Sequence, residues 1–119
     1  MEALTIARLS FGAVVALAGL VLILGGTLGL LRFPDVYTRL HAAGVSDGPG
    51  AAIFLVGLAI MAPDAGLGVR LLFLAALIVA LGPVLSHLIG NAAHSGGLAP
   101  IAGPYTAPRP GAARAERDA

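Results

Sequence analysis

Three long apolar runs separated by short polar segments organise the first three quarters of the chain. Residues 9 to 31, LSFGAVVALAGLVLILGGTLGLL, carry no charge between Arg8 and Arg32. At ~1.5 Å per residue such a run crosses a hydrocarbon core of roughly 30 Å with some tilt, so the pattern predicts a transmembrane helix. A cleaved signal peptide fits less well. The run exceeds the usual apolar stretch of about 7–15 residues, and no small-x-small site precedes a polar start. Residues 71 to 90, LLFLAALIVALGPVLSHLIG, form a second clear span. Pro83 inside it cannot donate to the carbonyl of Val79, which predicts a local kink.

The middle run is short. AAIFLVGLAIMA, residues 51 to 62, is bounded by Gly48-Pro49-Gly50 and by Pro63-Asp64. As a helix it reaches only about 18 Å. Either the helix begins earlier, borrowing Ala42 to Ser46 and taking Asp47 into the membrane, or a broken segment is shielded by other protein. The expected organisation is an N-terminal flank (1–8), a first span (9–31), a connector (32–42), a short or broken second span (43–62), a third span (71–90) and a disordered tail (91–119). The fold class is an all-α membrane protein with three transmembrane helices and a short amphipathic connector helix after the first.

The connector concentrates the chain's polarity. Phe33-Pro34-Asp35 resembles a helix start, with proline suited to the first turn and a carboxylate complementing the helix dipole. Phe33, Val36, Tyr37 and Leu40 recur near helical spacing, and Asp35 and Arg39 are placed to pair. One reading is an interfacial helix, with Tyr37 among headgroups and the arginines near phosphates. The other turns these groups towards a polar cavity in a larger assembly.

Composition supports membrane residence. Of 119 residues, 58% are apolar and 11% charged, and mean hydropathy is +0.95. A soluble domain of this size needs more polar surface. The net charge of +1 gives no argument for nucleic acid, and the absence of cysteine removes disulfides and thiolate chemistry. No phosphate-binding loop, zinc-protease motif or serine triad is present, so neither catalytic residues nor cofactor or metal site is expected, and an enzyme acting alone is not. Gly12, Gly19 and Gly26 repeat every seven residues, and Gly25 with Gly29 forms a GxxxG. Both patterns suit close helix packing. Arg32 and Arg39 in the connector place it in the cytoplasm by the positive-inside rule, with the N-terminus outside and the C-terminus inside.

Asp47 is the most informative candidate. A carboxylate beside a short span is costly unless paired, hydrated or protonated, and such a group can bind a cation or relay a proton. Turn chemistry in SDGPG explains it equally. Asp35 with Arg39 also reads as a solvated pair, Arg32 as a snorkelling residue, and His41 and His87 as interfacial histidines.

The stretch LGLLRFPDVYTRLHAA, residues 28 to 43, closely resembles the G subunit of the multisubunit Mrp-type (Mnh/Pha) cation/proton antiporters. The resemblance covers about residues 9 to 90. It implies a small accessory subunit of a bacterial plasma-membrane complex that exchanges Na⁺ or K⁺ for H⁺, with other antiporter subunits and membrane lipid as partners. Arg32, Pro34, Asp35, Tyr37, Arg39, His41 and Asp47 fall on the family's pattern. Asp47, His41 and Asp35 are the candidate ion-path residues, and Arg32, Pro34, Tyr37 and Arg39 the candidate docking motif. The sequence departs at Val45, where the family commonly has lysine, and at Gly48-Pro49. The lost lysine removes a natural partner for Asp47. A purely structural subunit and a stand-alone small membrane protein are the alternatives.

Overall fold

A computed structural model describes residues 1–102, 105 and 106. Its elements are α1 (Glu2–Arg32), α2 (Val36–Val45), a π-helical turn (Ser46–Gly50), α3 (Ala51–Met61) and α4 (Ala65–Ser95). A two-residue antiparallel pairing follows, β1 (Ile101–Ala102) with β2 (Tyr105–Thr106). Among the described residues, three helices are long and apolar enough to cross a membrane: Glu2–Arg32, Val36–Met61 and Ala65–Ser95.

The connector does not stand apart as its own helix. α2, the π turn and α3 run together as one span of 26 residues, about 39 Å long at ~1.5 Å per residue. The short middle run is therefore completed by an early start, at Val36 rather than at residue 43. Pro49 does not end the helix because the widened turn accommodates it. The Ala51 N–H reaches back to the Ser46 carbonyl, a five-residue step that bypasses the α-helical register. Pro34 lies ahead of the cap, and Asp35 is the N-cap itself.

At the other end α4 continues through Pro83 to Ser95, beyond the expected limit at Gly90. Residues 91–95 contain no glycine or proline, and the chain leaves the helix at Gly96. Gly97 then takes φ +83, a conformation suited to glycine. Of the tail expected to be disordered, residues 103–104 and 107–119 lie outside the described residues. The N-terminal flank is helical from Glu2.

α1 packs closely on the second span through small residues. A Cβ at Gly12 would meet the Met61 Cγ at 2.5 Å and the Gly57 carbonyl at 2.9 Å. One at Gly19 would strike the Phe54 backbone, with Cα at 2.7 Å, and one at Gly26 would meet the Ala42 carbonyl at 2.6 Å. The second span answers with its own glycines. Gly57 lies against the Ala16 backbone and Gly50 against Ile23. These two are also seven residues apart, so the stripes run in step along the seam. Gly29 meets the Ala42 Cβ at 2.9 Å, whereas Gly25 has nothing within 4 Å, so only one end of the GxxxG touches the seam. Ser46 is buried there and donates to the Ile23 carbonyl at 3.3 Å.

Among the described residues, the buried apolar side chains are all alanines: Ala16, Ala42, Ala52, Ala62 and Ala75. Large side chains such as Leu17, Phe73 and Val84 point outward. This inverts a soluble core and fits lipid, which solvates large apolar groups and leaves backbone approach to small ones.

Candidate functional site

The site grows from the start of the second span. Asp35 caps it. Its Oδ1 accepts from the Thr38 N–H at 2.6 Å and from the Thr38 hydroxyl at 2.8 Å. Its Oδ2 accepts from the Ile101 N–H at 3.3 Å. The Thr38 amide and hydroxyl hold the Asp35 carboxyl below its ordinary value; desolvation opposes them, and the Ile101 and Tyr37 amides add smaller lowering effects. Arg39 sends its Nε to the Phe33 carbonyl at 2.8 Å. The spacing that allows an Asp35–Arg39 pair thus serves two separate backbone contacts. The Tyr37 hydroxyl donates to the Leu98 carbonyl at 2.8 Å, so Tyr37 and Asp35 both anchor the segment that follows α4. Arg32 is exposed at the last turn of α1.

Asp47 sits inside the π turn, ~17 Å from one end of its span and ~21 Å from the other. It faces the gap between the second span and α4. A cavity of about 150 Å³ there is lined by Asp47, Gly44, Gly48, Gly82, Leu85 and Ser86, among others. A second cavity of about 330 Å³ joins Gly48 and Pro49 to Val79, Gly82, Pro83 and Ser86. The two prolines within helices, Pro49 in the π turn and Pro83 inside the continuous α4, therefore face one another. Pro83 has no N–H for the Val79 carbonyl, and Val79 lines the same gap. Asp35 and Asp64 are the carboxylates that accept hydrogen bonds among the described residues; Asp47 accepts none.

His41 is exposed and lines a third, more open cavity of about 410 Å³ with Tyr37, Gly44, Val45 and Ser86. His41 and Asp47 thus border adjoining spaces that share Gly44 and Ser86, while Asp35 is engaged at the helix start. Among the described residues no three histidine, aspartate or glutamate side chains gather where they could hold a metal ion. Thr27, a possible oxygen ligand by residue type, donates to the Ile23 carbonyl at 2.8 Å. His87 is exposed on α4.

Sequence reasoning passed over Gly44, Gly48, Gly82 and Ser86, which shape the gap, and Gly50 and Gly57, which complete the seam. The four-residue spacing of Gly44 with Gly48 and of Gly82 with Ser86 was the available signal.

Comparison with known proteins agrees with this architecture. The family model PhaG/MnhG/YufB, described as Na+/H+ antiporter subunit, matches residues 15–94. A UPF0091 protein of Rickettsia conorii is 43% identical over 81 residues, covering 68% of this chain and 76% of that protein. Na(+)/H(+) antiporter subunit G1 of Staphylococcus haemolyticus is 37% identical over 90 residues, covering 69% and 76%. Among solved structures, a chain of the Mrp complex from a Dietzia species has a TM-score of 0.75 at 32% identity, covering 85% of this chain and 92% of that one. A chain of the membrane-bound sulfane sulfur reductase, an archaeal respiratory membrane complex, has a TM-score of 0.72 at 26% identity, covering 90% and 96%. The family match takes in Gly19 and Gly26 of the seam, the capped helix start and the gap at Asp47, and the chain belongs to the PhaG/MnhG/YufB family of Na+/H+ antiporter subunits.

Proposed function

We propose that this accessory subunit of a multisubunit Na⁺/H⁺ antiporter contributes one carboxylate, Asp47, to the wall of the assembly's cation route. Subunit membership rests on the family match and on the likeness to a chain of the Mrp complex, which makes other antiporter subunits its partners in a hetero-oligomer. The chain is a multi-pass membrane protein and a transporter component. Its place is the bacterial plasma membrane, and its work is assembly and transport, with no catalysis of its own.

The observation that carries the route is the position of Asp47, mid-span, beside a cavity and without a hydrogen-bond donor among the described residues. A charged residue at the centre of a lipid-facing helix costs about 2.5–3.5 kcal/mol on insertion scales. That cost falls where the group borders water, a cation or a partner's donor. His41 lines the adjoining, more open cavity and supplies an imidazole beside the route. Asp35 keeps the span's start charged. Arg32, Pro34, Tyr37 and Arg39 form the docking edge at the cytoplasmic surface, with the N-terminus outside and the C-terminus inside.

The test is Asp47→Asn in the assembled complex, followed by Na⁺-dependent proton exchange in inverted vesicles. The expected result is a rise of roughly tenfold in the Na⁺ concentration giving half-maximal exchange, equivalent to about 1.4 kcal/mol of lost cation stabilisation. Unchanged exchange in a fully assembled complex would remove Asp47 from the route. It would leave the second reading, a purely structural subunit, which the dispersal of Asp35, His41 and Asp47 favours.

A further inference from the structure

The gap between the second span and α4 has the shape of a seat. Gly48 and Gly82 each have nothing within 4 Å of a Cβ built on them, and Gly44 meets only the Ser86 hydroxyl at 3.9 Å. The seam between α1 and the second span shows what small residues do in this chain when a helix does lie on them. There a Cβ strikes backbone at Gly12, Gly19 and Gly26. The glycines of the gap are equally small and uncovered. In their midst stands the carboxylate of Asp47, exposed and without a hydrogen-bond donor among the described residues.

A neutral helix laid into the gap would leave that carboxylate buried without a donor. A lipid chain would do the same. Charge complementarity favours a helix that brings a cationic donor to the carboxylate. We infer that the gap lined by Gly44, Gly48, Gly82 and Ser86 seats a transmembrane helix of another antiporter subunit, whose lysine or arginine side chain pairs with Asp47. The inference rests on the proposed function and names the partner of the same site. The open glycines let the incoming backbone approach, and the Ser86 hydroxyl offers it a hydrogen bond. The partner's cationic group and a transported cation then compete for one carboxylate. Passage of the cation requires the pair to open, which ties the route to the contact between subunits.

The experiment uses the whole complex. A photoreactive diazirine side chain is placed at Leu85, which lines the cavity with Asp47 and is exposed on this chain. The adduct is mapped by mass spectrometry after irradiation of native membranes. The expected adduct is a transmembrane helix of a different subunit, with a lysine or arginine within about one turn of the attachment point. Two variants accompany it. Gly82→Leu fills open space, so the isolated chain should keep its Tm while recovery of partners falls at least tenfold. Asp47→Lys should lower recovery similarly, and the reciprocal change of the partner's basic residue to aspartate should restore it.

An adduct with lipid alone, with a second copy of this chain, or with a helix lacking a basic residue near the site would overturn the inference. So would undiminished recovery of partners with Gly82→Leu. A shifted Na⁺ dependence in Asp47→Asn together with any of these results would retain the cation route and reject the seat. The expected adduct and charge-swap rescue with unaltered Na⁺ dependence would do the reverse.

Discussion

Gly19 and Gly25 are the same residue type on the same helix, six positions apart, and their surroundings differ completely. A methyl group at Gly19 has nowhere to go except into the Phe54 backbone, while at Gly25 it meets open space. Gly19→Ala should therefore push α1 away from the second span and destabilise the purified chain by about 1–3 kcal/mol, in the range of overpacking. Gly25→Ala should cost nothing, and removal of a mid-helix glycine favours the folded state by roughly 0.5–1 kcal/mol where it fits. Thermal unfolding in detergent distinguishes the two. A Tm for Gly19→Ala equal to that of the unmodified chain would mean the seam is looser than its contacts indicate. The heptad of Gly12, Gly19 and Gly26 was legible because spacing alone identifies a face. The idle position of Gly25 was not, because GxxxG spacing fits many faces and says nothing about where the neighbour lies.

At the scale of the element, the start of the second span is held by a charged cap. Asp35 has its carboxyl below the ordinary value, chiefly through the Thr38 amide, so the sign of its pH dependence follows. The folded state binds its proton less readily than the unfolded chain does. The stabilising effect is fully present above the ordinary aspartate value of about 4 and is lost as pH falls through the lower folded value. Amide exchange at Thr38 should accelerate on acidification through that range, and Asp35→Asn should abolish the pH dependence while keeping an oxygen acceptor. Acid-insensitive exchange at Thr38 in the unmodified chain would contradict the cap's role. A helix start near Pro34 and Asp35 was readable, but the sequence placed Pro34 in the first turn, whereas Pro34 precedes the helix and Asp35 is its cap. The continuation from cap to Met61 was harder to read, because Pro49 between two glycines resembles a terminator. Tertiary packing preserves the helix there by widening one turn, with Ser46 fixed to the Ile23 carbonyl beside it.

At the scale of the molecule, little of the three spans is covered by the chain itself. The most apolar windows of α1, the second span and α4 are 17%, 22% and 6% buried. So thin an internal seam leaves α4 almost wholly to lipid and partners. Extraction in mild detergent should recover the tagged chain with several larger multi-spanning proteins, and the chain freed from them should unfold at lower temperature, since partners that bind only the folded form stabilise it. Recovery of the chain alone, with an unchanged Tm, would contradict the subunit role.

The sequence by itself determined the number of spans, the close-packing face of α1, a helix start near Pro34 and Asp35 and the anomaly of Asp47. Each depends on local quantities: uninterrupted apolar length, seven-residue spacing, and the chemistry of a few neighbouring residues. Only the tertiary structure decided that the connector and the short apolar run form one helix. The same holds for Gly50 and Gly57, which answer the stripe on α1, and for the π turn and Pro83, which share a gap. Those outcomes depend on which helix faces meet. Residues 47 and 82 are brought together by the reversal of the chain between Met61 and Ala65, and no local pattern records that meeting.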